Sequence, residues 1–384
     1  MNNIITNWLL KNRRIRNRSI NIYNYDKPHV GRALVSYRPD SIKKGIEQSL
    51  SNEHSNIWES AQIIKTFNEL GFIVDAIWYD DTTYKISEDY DVIFDIHRNL
   101  GRYVTSKTKL KIFYATGSYP LFSNKAELLR VRNLEKRRNI KLKPRRYMNE
   151  KGIKIFNDNI KLADKVILIG NRNTLDTFPS EMLYKIHLLN PTSNYNFINK
   201  LPNTHRKEFL WYNGYGALHK GLDLVLEIFS RRQDLILNVV GAYEREKDFV
   251  KAYYKELYKL PNIRAYGFLL PSSDKFKNIV RNVISFISPS CSEGVSTSAI
   301  TCMQFGLIPI ISLESGITLT KDIGIILKEN SIEEIINSIN FINGLTDEEI
   351  NKRKQAIYEF TRKVYSRENY KSKVYEYIKS FLNK

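Results

Sequence analysis

The chain has 384 residues, 42% of them hydrophobic, which is enough for two domains with sizeable cores and too apolar for a disordered polymer. No apolar run approaches the roughly 20 residues of a membrane-spanning helix, and the only cysteines, Cys291 and Cys302, form neither a zinc spacing nor a disulfide framework, so a stapled secreted scaffold is excluded and a reducing cytoplasmic setting is expected. The net charge of +19 is uneven: residues 1–200 hold 34 Lys and Arg against 20 Asp and Glu, residues 201–384 hold 26 against 21.

Residues 1–28 read as a basic arm. Ile4, Ile5, Trp8 and Ile15 share one side of a helix and arginines much of the rest, a face that suits an anionic membrane surface. Its apolar patch precedes the run Lys11 to Arg18, the reverse of signal-peptide order, so no secretory signal is expected. From Arg32 the pattern alternates. Strands are predicted over 33–37, 72–78, 91–96, 110–114, 165–169 and 186–189, with helices over 57–70 and 124–138. The polar, turn-rich stretch 190–206 is the linker candidate. Strands then resume over 209–212, 235–240, 263–266, 283–287, 307–311 and 323–327, with helices over 222–229 and 332–342 and one or two basic helices over 347–382. Such alternation predicts parallel, doubly wound sheets: an N-terminal domain over 29–200 and a C-terminal domain over 201–365, facing each other across a cleft at the carboxyl ends of their strands.

Two segments carry chemistry. In Pro289-Ser290-Cys291-Ser292-Glu293-Gly294-Val295-Ser296-Thr297-Ser298 a strand runs into a polar turn, a capped helix and a further strand through Gly306 to Ile311. A helix start presents free N–H groups and the positive end of the helix dipole, which suits phosphate, while the Glu293 carboxylate suits hydroxyls. Phosphate plus hydroxyls describes a nucleotide sugar. The second segment, Asn213-Gly214-Tyr215-Gly216-Ala217-Leu218-His219-Lys220-Gly221, follows the first strand of the second domain. Its glycines let a ligand approach the backbone, and Lys220 offers a point charge to a diphosphate.

Together these segments resemble the donor half of the GT-B glycosyltransferases, in particular the retaining family 4 or group 1 type. The resemblance covers about residues 205–345. It implies two Rossmann-like domains around a central cleft, with a C-terminal helix over 366–384 crossing back to the first. It also implies a donor diphosphate held by Lys220, a transferred sugar held by Glu293, and a distal phosphate on the N–H groups of Val295, Ser296 and Thr297 beside Gly294. Gly216, Gly241 and Phe268 fall on the donor side, the last two near the base. Two positions depart from the family: Thr301 stands where a ribose-binding glutamate is usual, and Tyr215 stands five residues before Lys220 where an arginine is usual. The first domain is expected to hold the acceptor, with Asn56, His97, Thr116 and Gly117 at its lip and His97 a candidate catalytic group. No cofactor or metal is expected, since a lysine and helix N-termini neutralise the leaving diphosphate; Asp89-Tyr90-Asp91 has metal-site spacing but precedes a strand in the wrong domain.

The densest charge runs from Lys125 to Arg146, with ten Lys and Arg against two Glu. It reads as a solvated basic helix, or as a surface for a phosphorylated or lipid-linked glycan at the inner face of a membrane. The expected activity is transfer of a sugar from a nucleotide sugar to a cell-surface glycan such as lipopolysaccharide or capsule. A DNA-modifying glycosyltransferase and a non-catalytic glycan- or nucleotide-binding subunit rank below it.

Overall fold

The computed structural model describes residues 18–23, 26–42, 45–50, 54–192 and 205–383. Most of the predicted arm (residues 1–17) and of the predicted linker (residues 193–204) lies outside them.

Seven strands form the first sheet: β1 (Ser19–Ile22), β2 (Gly31–Tyr37), β3 (Phe72–Trp78), β4 (Val92–Asp95), β5 (Leu110–Ala115), β6 (Lys165–Ile169) and β7 (Ile186–Leu189). Their order is β1-β3-β2-β4-β5-β6-β7. All neighbours are parallel except β1, which pairs antiparallel with β3. The inner strands are apolar on both faces, as a sheet covered on both sides requires. The β1 strand corrects the sequence reading, which put these residues in the arm. Its short Ser-Ile-Asn-Ile run is an edge strand, tied down by Arg18 on Asp81 at 2.6 Å and by the Asn21 N–H donating to Asp75 at 2.7 Å.

The longer helices of this domain are α1 (Ser55–Glu69), α2 (Pro120–Arg138) and α3 (Glu150–Leu162). α2 begins a turn before the predicted start, with Pro120 in its first turn, where the missing N–H is harmless, and stops at left-handed Asn139. α3 is absent from the sequence reading: interspersed charges and Gly152 mask the apolar spacing of Ile153, Phe156 and Ile160. Asn149 caps it by accepting from the Gly152 N–H.

The second sheet contains β8 (His205–Asn213), β9 (Ile236–Gly241), β10 (Ile263–Gly267), β11 (Val283–Ser288), β12 (Ile308–Ser312) and β13 (Ile325–Leu327), ordered β10-β9-β8-β11-β12-β13 and parallel throughout. Around it lie α4 (Leu222–Phe229), α5 (Asp274–Arg281), α6 (Thr297–Gln304), α7 (Ile332–Gly344) and α8 (Asp347–Val364), and α9 (Arg367–Leu382) ends the chain. Strand order reverses between β2 and β4 in one sheet and between β8 and β11 in the other. In open parallel sheets, loops leaving such a reversal diverge and open a crevice. Both crevices face one cleft.

The predicted C-terminal helical stretch breaks at Tyr365-Ser366. α8 packs on α6 and β12, whereas α9 returns to α1 and β7 of the first domain. Tyr370 meets Trp58 edge-on at 5.7 Å and shares a 3.0 Å hydrogen bond with the Tyr114 hydroxyl, and the Tyr377 hydroxyl donates to the Leu188 carbonyl at 2.9 Å. Val374, Ile378 and Phe381 are buried there, each contributing about 1.5–3 kcal/mol of apolar burial. Among the described residues no helix is long and apolar enough to cross a membrane.

Candidate active site

The loops leaving β8 and β11 meet at the second sheet's reversal and lock together. Left-handed Gly221 lies against Pro289, where a Cβ would come within 2.6 Å of the Pro289 carbonyl oxygen. The Cys291 N–H donates to the His219 carbonyl at 2.9 Å, and His219 Nε2 lies 2.7 Å from the Ser292 carbonyl. The buried Glu246 carboxylate accepts from the N–H groups of Gly216 at 2.7 Å and Ala217 at 2.8 Å, holding the glycine turn in shape.

This lock brings Lys220 and Glu293 into direct contact, ammonium nitrogen to carboxylate oxygen, with both side chains less than a tenth exposed. Burial, and next the nearby Arg146 guanidinium, depress the Lys220 pKa well below the ordinary lysine value. A buried pair of this kind gains little net energy. It keeps two opposite charges in reserve, one for an anion and one for hydroxyls.

Beside the pair, α6 opens with Ser296 as its cap, the side chain accepting from the Ala299 N–H. The N–H groups of Val295, Thr297 and Ser298 have no partner among the described residues. The Ser296 N–H does not join them: it donates to the Ser315 carbonyl at 2.8 Å. The anion site named from sequence therefore loses Ser296 as a backbone donor and gains Ser298.

A cleft of about 820 Å³ between the domains is lined by Lys220, Glu293, Gly294, Val295, Ser296 and Thr297 on one side and Asn56, His97, Thr116 and Gly117 on the other. Gly216, Gly241, Phe268 and Thr301 are outside its lining. Gly216 shapes the turn, while Gly241 lies where a Cβ would stand 2.2 Å from the Asn213 carbonyl oxygen. Phe268 is exposed beyond β10. Thr301 is fully buried, its hydroxyl donating to the Thr297 carbonyl one turn back at 2.9 Å, so in this structure it does not face the cleft. The Asp89 and Asp91 carboxylates are each paired with a lysine, Lys107 and Lys109, at 2.8 Å.

His97 leaves β4 at the first reversal. Burial, and next the Arg98 charge, lower its pKa, so the ring is neutral, and Nε2 accepts from Arg98 at 2.9 Å. Asn56 lies in the first turn of α1, whose cap is His54 without a side-chain bond. Sequence reasoning passed over three other charged groups lining the cleft: Arg38, Glu59 and Arg146. Arg146 had a signal only as one member of a basic run, and the other two had none.

The domains meet through that basic run. Arg137 pairs with Asp223 at 2.5 Å and Glu227 at 3.1 Å, Arg138 with Glu256 at 2.7 Å, and Arg145 with Asp248. Arg130 donates to the Pro289 carbonyl at 2.8 Å. Four of the ten charges are thus committed to the second domain, which corrects the picture of a wholly solvated helix. The Glu293-Gly294 turn is a contact too. A Cβ on Gly294 would lie 2.5 Å from the Ile169 and 2.7 Å from the Thr116 carbonyl oxygens, and the Thr174 hydroxyl donates to the Gly294 carbonyl at 2.9 Å.

Residues 194–363 match the family described as glycosyl transferases group 1. No curated protein matches the chain by sequence. Among solved structures, sucrose-phosphate synthase from Thermosynechococcus elongatus aligns with a TM-score of 0.64 at 12% identity, over 91% of this chain and 98% of its own. A glycosyltransferase from Rickettsia africae ESF-5 aligns with 0.60 at 13%, over 92% and 99%. TarM of S. aureus, solved with UDP and alpha-GlcNAc-glycerol, aligns with 0.53 at 12%, over 76% of this chain. The alignment spans 55% of the TarM chain. These likenesses carry the two-domain fold.

Proposed function

With its second half a group 1 glycosyltransferase domain and its two sheets in the GT-B arrangement, we propose that this protein moves a sugar from a nucleoside diphosphate sugar to a hydroxyl of a cell-surface glycan. The observation that carries the proposal is the Lys220–Glu293 pair beside the free N–H groups of α6, inside the cleft the domains share. The ligands of TarM make UDP the first nucleotide to test.

On donor binding, Lys220 leaves Glu293 for the diphosphate, the freed carboxylate accepts hydroxyls of the transferred sugar, and the N–H groups of Thr297 and Ser298 meet the distal phosphate. The acceptor oxygen bonds the anomeric carbon as the bond from that carbon to phosphate oxygen breaks. The acceptor proton passes to the leaving phosphate, and the new bond retains the donor's configuration. Lys220 and the helix start stabilise the departing charge without a metal. Asn56, His97, Thr116 and Gly117 line the acceptor side; neutral His97 can accept a proton or position a hydroxyl. Lys125, Arg132, Lys136, Lys141 and Lys143 remain exposed and suit a phosphorylated or lipid-linked acceptor at an anionic membrane surface.

The test is thermal stabilisation by UDP, GDP, CDP and ADP. One nucleotide should raise the melting temperature, and Lys220→Ala should abolish the shift. No shift from any of them would remove the proposal's basis. Proton NMR of the product's anomeric centre then tests retention.

A further inference from the structure

Among the described residues the second domain lines the proposed donor site with one lysine, Lys220, and no arginine, Tyr215 standing where the family resemblance places one. We propose that Arg146, from the first domain, supplies the second cation, so that the donor diphosphate is gripped across the cleft. This rests on the donor site proposed above.

The loop that follows α2 delivers Arg146 to the cleft. Glu127, buried in α2, pins it by accepting from the backbone N–H groups of Arg145 at 2.8 Å and Arg146 at 3.0 Å. The Arg146 side chain then runs over the glycine turn that leads to Lys220. Its Cγ and Cδ lie 3.3 and 3.5 Å from where a Cβ on Gly216 would stand. Glycine at 216 thus clears the path of an arginine from the opposite domain. Arg146 lines the same cleft as Lys220 and Glu293, and its charge is felt by both His219 and Lys220.

The decisive contrast is in partners. Arg137, Arg138 and Arg145 lie on carboxylates of the second domain, and Arg38, the other arginine lining the cleft, lies on Asp40 at 2.9 Å. The Arg146 guanidinium has no carboxylate or hydrogen-bond partner among the described residues. Two cations thus line one cleft, Lys220 buried and Arg146 exposed, in which Glu293 offers one balancing charge. A diphosphate supplies the missing negative charge, and a guanidinium fork matches its oxygens in pairs. Because the fork and the lysine come from different domains, diphosphate affinity depends on the closed arrangement.

The experiment is calorimetric titration of the full chain with UDP, UMP and uridine, or the corresponding series for whichever base stabilises it. The variants are Arg146→Ala, Lys220→Ala and, as control, Arg102→Ala, an exposed arginine of the first domain outside the cleft. Arg146→Ala should weaken the diphosphate about tenfold to a hundredfold, the loss of one charge-assisted contact, and leave the nucleoside within about twofold. Its melting temperature without nucleotide should match the wild type, because the guanidinium holds nothing in the resting protein. Arg102→Ala should bind as the wild type. Unchanged diphosphate affinity in Arg146→Ala, with Lys220→Ala impaired, would overturn this assignment and leave the donor site standing. No nucleotide binding by the wild type, or none lost in Lys220→Ala, would overturn both.

Discussion

Glu59 gives the sharpest test of the reasoning from burial to energy. It lies on α1, 3% exposed, and accepts from the Thr192 N–H at 2.8 Å and the Thr192 hydroxyl at 3.2 Å, where the chain leaves the first domain. Burial pushes its carboxyl up from 4.5 to about 7. Between those values the folded protein holds a proton that the unfolded chain has released. Stability from this group is therefore full below the unfolded value and lost as pH rises through the folded one. At about 1.36 kcal/mol per pH unit the loss is on the order of 3 kcal/mol. Glu59→Gln keeps the oxygen that accepts from Thr192 and removes the titration. Urea denaturation of both proteins between about pH 5 and about pH 8 reads the difference. The buried Asp95, pushed to about 6, titrates in the same direction in both and cancels in the comparison. The wild type should lose on the order of 3 kcal/mol more than the variant across this range. Equal losses in the two proteins would refute the claim that desolvation governs this group.

Arg137→Ala strips the buried Asp223 and Glu227 of their shared partner and should cost about 3 kcal/mol in urea denaturation, the low end for breaking a buried pair because the arginine is a quarter exposed. Gly294→Ala places a methyl against the Ile169 and Thr116 carbonyls; small-angle scattering should show a larger radius of gyration, and turnover should fall. Thr301→Val should leave nucleotide affinity within about twofold, since the lost hydroxyl bonds only its own helix, at a stability cost of about 1 kcal/mol; a large loss of affinity by calorimetry would restore the ribose role.

Much of the fold is legible in the chain because buried parallel strands are written as short apolar runs, and those at 72–78, 165–169 and 186–189 end where the sequence places them. The loops of the proposed donor site are legible for a related reason: strand, turn and helix are contiguous, so Lys220 and Glu293 announce themselves locally. What depends on distant packing is not. Ser315 reaches Ser296 from the loop after β12, and nothing near Ser296 indicates that its N–H is taken. The placement of Thr301 follows from which face of α6 meets the core. The β1 strand is short and only half apolar because an edge needs little burial. Arg146 looks like its basic neighbours until the domains are docked, and then it differs from Arg137, Arg138 and Arg145 by having no acid opposite.

The uneven charge of the sequence thus has a structural use at the domain interface. Arginines of α2 and the loop after it meet Asp223, Glu227, Asp248 and Glu256 of the second domain. Such pairs fix orientation strongly and add little net energy, because each charge gives up water to form them. An apolar interface of the same extent would hold the domains shut. A charged one sets a single closed geometry while leaving opening inexpensive, which a cleft must have if a nucleotide is to enter and leave. In the proposed cycle Lys220 and Glu293 follow the same logic on a smaller scale. They satisfy each other in the empty site, and a diphosphate with its sugar satisfies both at once. Substrate can then stabilise closure by replacing one set of charge contacts with another, without bringing a new apolar surface into play.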